Sequence, residues 1–103
     1  MKLIFKERLV FNVLYPQKGN LSEQILVQDI SKKVQFTQEE IQNANYKVKG
    51  NLASWDDTKV KEAKIEFTGA ELNFLKTRVD DLDKNKEITQ DILSLCRKIK
   101  EEK

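Results

Sequence analysis

The sequence contains no histidine, one cysteine, one proline and three glycines in 103 residues. Without histidine, Ser-His-Asp and Cys-His catalysis and His-ligated metal sites are beyond this chain alone. A single cysteine excludes an internal disulfide and an all-Cys zinc site. The scarcity of Gly and Pro argues against a collagen-like or low-complexity chain. Charge of one sign is lacking too: eight basic residues face five acidic ones in positions 1–50, and eleven face twelve in 51–103. A protein that neutralises many phosphates needs a concentrated basic surface, and this composition gives no impetus toward one. Long apolar runs are also missing. The stretch Met1-Lys2-Leu3-Ile4-Phe5-Lys6-Glu7-Arg8 is broken by charges and leads to no small-residue cleavage site. The uncharged run from Leu9 to Gln17 falls far short of the ~20 apolar residues that span a bilayer. A lone thiol and no export signal make a cytoplasmic protein without membrane contact the expectation.

What is present is 39% hydrophobic and 35% charged residues, the balance of a soluble globule, and the length accommodates one domain over 1–103. A chain of this size buries roughly 65% of its unfolded surface, enough to fold without staples. Leu9, Val10, Val13 and Leu14 recur at helical spacing, so the pattern predicts a first helix over about 5–14, stopped by Pro16. Asn20 with Glu23 three residues later caps a second helix over about 21–34, with Leu21, Ile25, Leu26, Ile30 and Val34 as its apolar stripe. Thr37-Gln38-Glu39-Glu40 is a capping box that starts a short third helix carrying Ile41, with Phe36 placed for a hydrophobic staple.

From Tyr46 the period changes. Tyr46-Lys47-Val48-Lys49 and Leu52-Ala53-Ser54-Trp55 flank Gly50-Asn51, a pair suited to a tight hairpin turn with positive φ. After a turn at Asp56-Asp57-Thr58, Ala63, Ile65 and Phe67 alternate with Lys64 and Glu66, which predicts a third strand near 61–67 and a three-stranded meander. A second capping box, Thr68-Gly69-Ala70-Glu71, opens a fourth helix with Leu72, Leu75, Val79 and Leu82 on one face. Thr89 is placed to cap a fifth, with Asp91 near its start and Ile88, Ile92, Leu95, Cys96 and Ile99 as its stripe. The expected architecture is α+β: three N-terminal helices, a small three-stranded antiparallel meander and two C-terminal helices.

Few constellations carry chemistry. Residues 81–92 resemble a calcium-binding EF-hand loop at positions one, three and five, but Lys86 replaces the glycine of the sharp turn and Ile92 the bidentate Glu. A plain polar connection between helices is the better reading, with no metal or cofactor expected. Three helices followed by a hairpin also resemble the order of a winged helix, and Lys47 and Lys49 are then the candidate nucleic-acid contacts. Against this, the candidate reading helix carries Glu39 and Glu40 and no Lys or Arg, so it repels phosphate. The carboxylates Asp56-Asp57 and Asp80-Asp81-Asp83 are sequence neighbours that do not face one another, and no phosphate loop or nucleophile elbow is present. An enzyme is not expected. Cys96 lies on an apolar stripe and reads as a small buried hydrophobe.

The aromatics are more suggestive. Phe11 and Phe74 lie off the main stripes of their helices, and Trp55 is the single tryptophan, so all three are candidate partner contacts, each with burial in the core as the ordinary alternative. The segments 2–9, Tyr15-Pro16-Gln17-Lys18-Gly19-Asn20, Phe36-Thr37-Gln38-Glu39-Glu40-Ile41 and Trp55-Asp56 together look like small, uncharacterised proteins encoded by phages and prophages of low-GC bacteria. Sixteen Lys against three Arg, with seven Asn, also fits an AT-rich coding source. That resemblance implies an accessory protein and brings no site residues. The functional expectation is a non-enzymatic interaction protein that binds another protein or itself as a homodimer, with winged-helix-like DNA binding as the alternative.

Overall fold

The computed structural model describes residues 1–56 and 61–102. Strand β1 (Lys2–Leu3) leads into helix α1 (Phe5–Leu9) and a 3-10 turn over Phe11–Leu14. Helices α2 (Leu21–Val34) and α3 (Gln38–Ala44) precede the hairpin strands β2 (Lys47–Lys49) and β3 (Leu52–Ser54). Strand β4 (Ala63–Lys64) then leads to helices α4 (Gly69–Lys84) and α5 (Gln90–Glu101). The class is α+β, with two small antiparallel sheets in place of the expected meander. Strands β2 and β3 pair with each other, Val48 opposite Ala53 and Lys49 opposite Leu52. Strand β4 pairs with the N-terminal β1, Lys2 opposite Lys64, and Met1 and Ile65 exchange backbone hydrogen bonds at 3.0 and 2.8 Å. The alternation at 63–67 reports a half-buried strand but carries no information on its neighbour. Asp57 and Thr58 of the expected turn lie outside the described residues.

The first helix is also corrected. The α-helix ends at Leu9, and the chain tightens into a 3-10 turn. With three residues per turn, positions i and i+3 eclipse, so Phe11 and Leu14 both face inward while Val13 turns out to solvent. On α2 the stripe likewise rotates: Ile30 and Val34 are buried, whereas Leu21 and Ile25 are exposed. On α3 the buried residue is Ala44, with the expected Ile41 half-buried, while the inward stripes of α4 and α5 stand largely as expected. Leu75, Val79 and Leu82 of α4 meet Ile92, Leu95, Cys96 and Ile99 of α5 in one core with Leu3, Phe11, Leu14, Ile30, Val34 and Ile65.

Helix starts follow their local chemistry. Asn20, Thr37 and Thr68 accept from the amides of Glu23, Glu40 and Glu71, and each Glu accepts in return from the cap residue's N–H. Thr89 stands at the start of α5 but its hydroxyl makes no capping bond. The 81–92 segment is the end of a helix and the start of the next. Lys86 N–H donates to Asp83 O and Glu87 N–H to Leu82 O, the paired bonds of a Schellman end, with Lys86 at φ 58°. Ile92, at the place of a would-be ligand, is core.

Candidate functional site

Phe5, at the start of α1, is buried and stands at the centre of an aromatic group. Its ring stacks on Phe36 at 4.3 Å and tilts against Tyr46 at 5.9 Å and Trp55 at 5.6 Å. Tyr46 immediately precedes β2 and Trp55 immediately follows β3, so both ends of the hairpin stand on one aromatic foot. A further backbone bond, Asp56 N–H to Ala44 O at 2.7 Å, closes the same base. Phe36, Tyr46 and Trp55 are each half-buried.

Arg8 holds this foot from behind. Its guanidinium stands 4.3 Å above the Phe36 ring, its Nε donates to Val34 O at 3.0 Å and its Nη2 to Gln35 O at 2.7 Å. These are carbonyls at the end of α2, where a cation is favoured by the helix dipole. Arg8 also forms an ion pair with Glu40 of α3. The Arg8 hydrogen bonds hold the Glu40 carboxyl below its ordinary range, aided by Thr37 and opposed by partial burial. One side chain thus joins α1, α2 and α3 and fixes the platform from which the hairpin leaves.

Above the platform the hairpin projects with no third strand beside it among the described residues. All six strand residues are exposed on both faces, including Val48 at 58% and Leu52 at 78%. Gly50 at the turn has φ 59°, the conformation its lack of a Cβ permits and the two-residue hairpin requires. Side chains alternate across a sheet, so Lys47, Lys49, Leu52 and Ser54 share one face and Val48 and Ala53 the other. Among the described residues, Lys47 and Lys49 form no ion pair, and each strand keeps one edge without a strand neighbour.

The expected contact residues therefore separate. Lys47 and Lys49 lie together on the hairpin, and Trp55 at its root. Phe11 is 1% exposed, with Phe67 and Tyr15 rings at 6.0 Å, and is a core residue; the 3-10 turn that rotates it inward removes it as a surface contact. Phe74 is half-buried against the core on α4, away from the aromatic foot. Sequence reasoning missed Glu7 and Arg8 as buried groups, because no local pattern distinguishes them from solvated helix charges. Cys96 is buried, which pushes its thiol pKa up and disfavours the nucleophilic thiolate.

Among the described residues no group of three or more His, Cys, Asp and Glu side chains could hold a metal ion, and no helix is long and apolar enough to cross a membrane. No family model matches this chain, and neither a curated protein nor a solved structure matches it.

Proposed function

We propose that this chain is a non-enzymatic binding protein whose contact element is the β2–β3 hairpin, and that it takes an extended, acid-bearing segment of a partner protein. The observation that carries this reading is the exposure of every residue of both strands, with two large aliphatic side chains in water. An isolated two-stranded hairpin is marginal on its own, so an aromatic foot under a hairpin whose six strand residues are all exposed favours an element held out for a partner. A partner strand added to a free edge gains main-chain hydrogen bonds. Acidic side chains on it complement Lys47 and Lys49, and its apolar ones cover Leu52. A cytoplasmic accessory protein, of the kind phages and prophages encode, is the setting proposed for this role.

The test is a comparison of the wild-type chain with Val48→Asp plus Leu52→Asp as bait in extracts of the native host, the retained proteins being identified by mass spectrometry. Both positions are exposed, so the helical circular dichroism is expected to stay unchanged. A protein that binds the purified wild type directly, and binds the variant at least tenfold more weakly, supports the reading. Equal retention by both baits overturns it. Because the hairpin also presents two lysines with no ion pair among the described residues, the same preparations are titrated with duplex DNA at low salt. Binding that falls steeply with salt and is lost in Lys47→Glu plus Lys49→Glu replaces the protein reading with the nucleic-acid one.

A further inference from the structure

The register of the hairpin decides which of its backbone groups turn outward. Lys49 and Leu52 face each other across a two-residue turn, so they form a hydrogen-bonded pair, as do Lys47 and Ser54 two positions on. Val48 and Ala53, between them, form a non-hydrogen-bonded pair. The N–H and C=O of Val48 therefore point away from β3 and those of Ala53 away from β2, and neither residue makes a further backbone bond among the described residues. At the root of β2 the next outward N–H, that of Tyr46, is committed to Ile41 O at 3.3 Å. The two edges differ in charge. Lys47 and Lys49 both belong to β2 and share one face, on which β3 carries Leu52 and Ser54.

We infer, on the reading that the hairpin is the contact element, that the partner strand adds antiparallel to β2 and carries an acidic, an aliphatic and an acidic residue in succession. A central residue that exchanges both backbone bonds with Val48 places its two neighbours opposite Lys47 and Lys49. Those are non-hydrogen-bonded positions, where facing side chains stand closest, so each carboxylate meets an ammonium directly. The central side chain falls on the other face, beside the exposed Val48. In a parallel pair the bonds are slanted and no single residue takes both from Val48. Along β3 the same acids face Leu52 and Ser54, and the lysines lie one strand further off, at about 10 Å. Charge also selects against a second copy at this edge. Val48 paired with Val48 sets Lys47 of each copy against Lys49 of the other, like charges directly opposite. A nucleic acid meets the lysines but does not extend a β ladder through Val48.

Amide NMR titration of the isotope-labelled full chain with capped synthetic peptides tests this. The probes are Thr-Thr-Glu-Val-Glu-Thr-Thr and its isomer Thr-Thr-Val-Glu-Glu-Thr-Thr, which keeps the net charge but puts its carboxylates on opposite faces. The alternating peptide is expected to bind about fivefold or more tightly than the isomer, with the Val48 amide moving downfield as it gains a bond. Val48→Pro removes the outward N–H at a position where an edge strand tolerates proline, and is expected to abolish binding; Ala53→Pro, its counterpart on β3, is expected to keep it. The Lys49 and Gly50 amide resonances of each variant verify that the hairpin stays closed. Equal binding of the two peptides to the wild type overturns the inference, as does an absence of binding at millimolar peptide. Binding that survives Val48→Pro is charge attraction without strand addition and overturns it too, as does loss in a closed Ala53→Pro hairpin. The hairpin reading fails separately: it falls when a host protein is retained equally by the wild type and by Val48→Asp plus Leu52→Asp, whatever the peptides do.

Discussion

Glu7, Glu40 and Glu71 each occupy the third position of a helix, and each accepts both a free amide at its own helix start and a cation from a distant element. Glu7 Oε1 takes Ile4 N–H at 2.9 Å and Lys98 Nζ at 2.7 Å; Glu40 takes Thr37 N–H and Arg8; Glu71 takes Thr68 N–H and Lys33. A local cap thereby becomes a tertiary staple, α1 to α5, α3 to α1, α4 to α2. The satisfaction is incomplete at three points, one of them Gln24 Nε2. Glu7 Oε2 and the Tyr15 hydroxyl are also buried without a hydrogen-bond partner among the described residues. Burial pushes the Tyr15 phenol up to about 12. Below pH 10 the phenol is protonated in both states; between pH 10 and 12 the unfolded chain releases the proton and the folded chain keeps it, so stability falls as pH rises. Tyr15→Phe removes both the unpaired hydroxyl and this ionisation. It is expected to raise stability at pH 7 by about 1 kcal/mol and to flatten the alkaline limb, as measured by urea unfolding at pH 7, 10 and 11.

At the scale of elements, two helices end on a left-handed residue that is not glycine. Asn45 (φ 53°) closes α3, with its N–H on Gln42 O and Tyr46 N–H on Ile41 O, and asparagine tolerates this conformation through its short polar side chain. Lys86 (φ 58°) closes α4 without that help. A left-handed non-glycine residue costs roughly 1–2 kcal/mol, part of which a glycine gives back as chain entropy. Lys86→Gly is therefore expected to stabilise the chain by about 0.5–1 kcal/mol, and Lys86→Val to destabilise it by a similar or larger amount, both read from denaturant midpoints. The turn that spacing relates to a cation loop is a helix terminator. Its left-handed position, which favours glycine, is shared with such loops, but its oxygens are not gathered: Asp81 pairs with Arg78 and Asp83 lines the groove between α4 and α5.

For the whole molecule, the staples and the core place stability under acid control. The Arg8 hydrogen bonds hold Glu40 below the ordinary carboxyl range; at Glu71, burial pushes upward but the Lys33 and Thr68 bonds outweigh it, and the net shift is again down. A carboxyl lowered in the folded state stabilises it above the unfolded value of about 4.3, and that contribution is lost as pH falls through the folded value. Glu40→Gln plus Glu71→Gln is expected to lower stability at pH 7 and to weaken its dependence on pH between about 5 and 2, as read from thermal melts across that range. How far the molecule could be read in advance follows from the range of each interaction. Helix starts at Asn20, Thr37 and Thr68, the Gly50 turn and the buried face of α5 were legible because each depends on residues within a few positions of one another. The foot was not: Tyr46 and Trp55 flank a visible hairpin, but their meeting on Phe5 depends on a contact made across the fold. What the sequence alone determined is the kind and order of most elements, through caps, periodicity and turn residues acting locally. Tertiary structure alone decided that β4 pairs with β1 and leaves the hairpin by itself, that the 3-10 turn folds Phe11 inward, and that Glu7 and Arg8 are buried. The reason is physical: edge pairing and charge burial depend on groups from 26 to 91 positions apart, and no local window holds both partners.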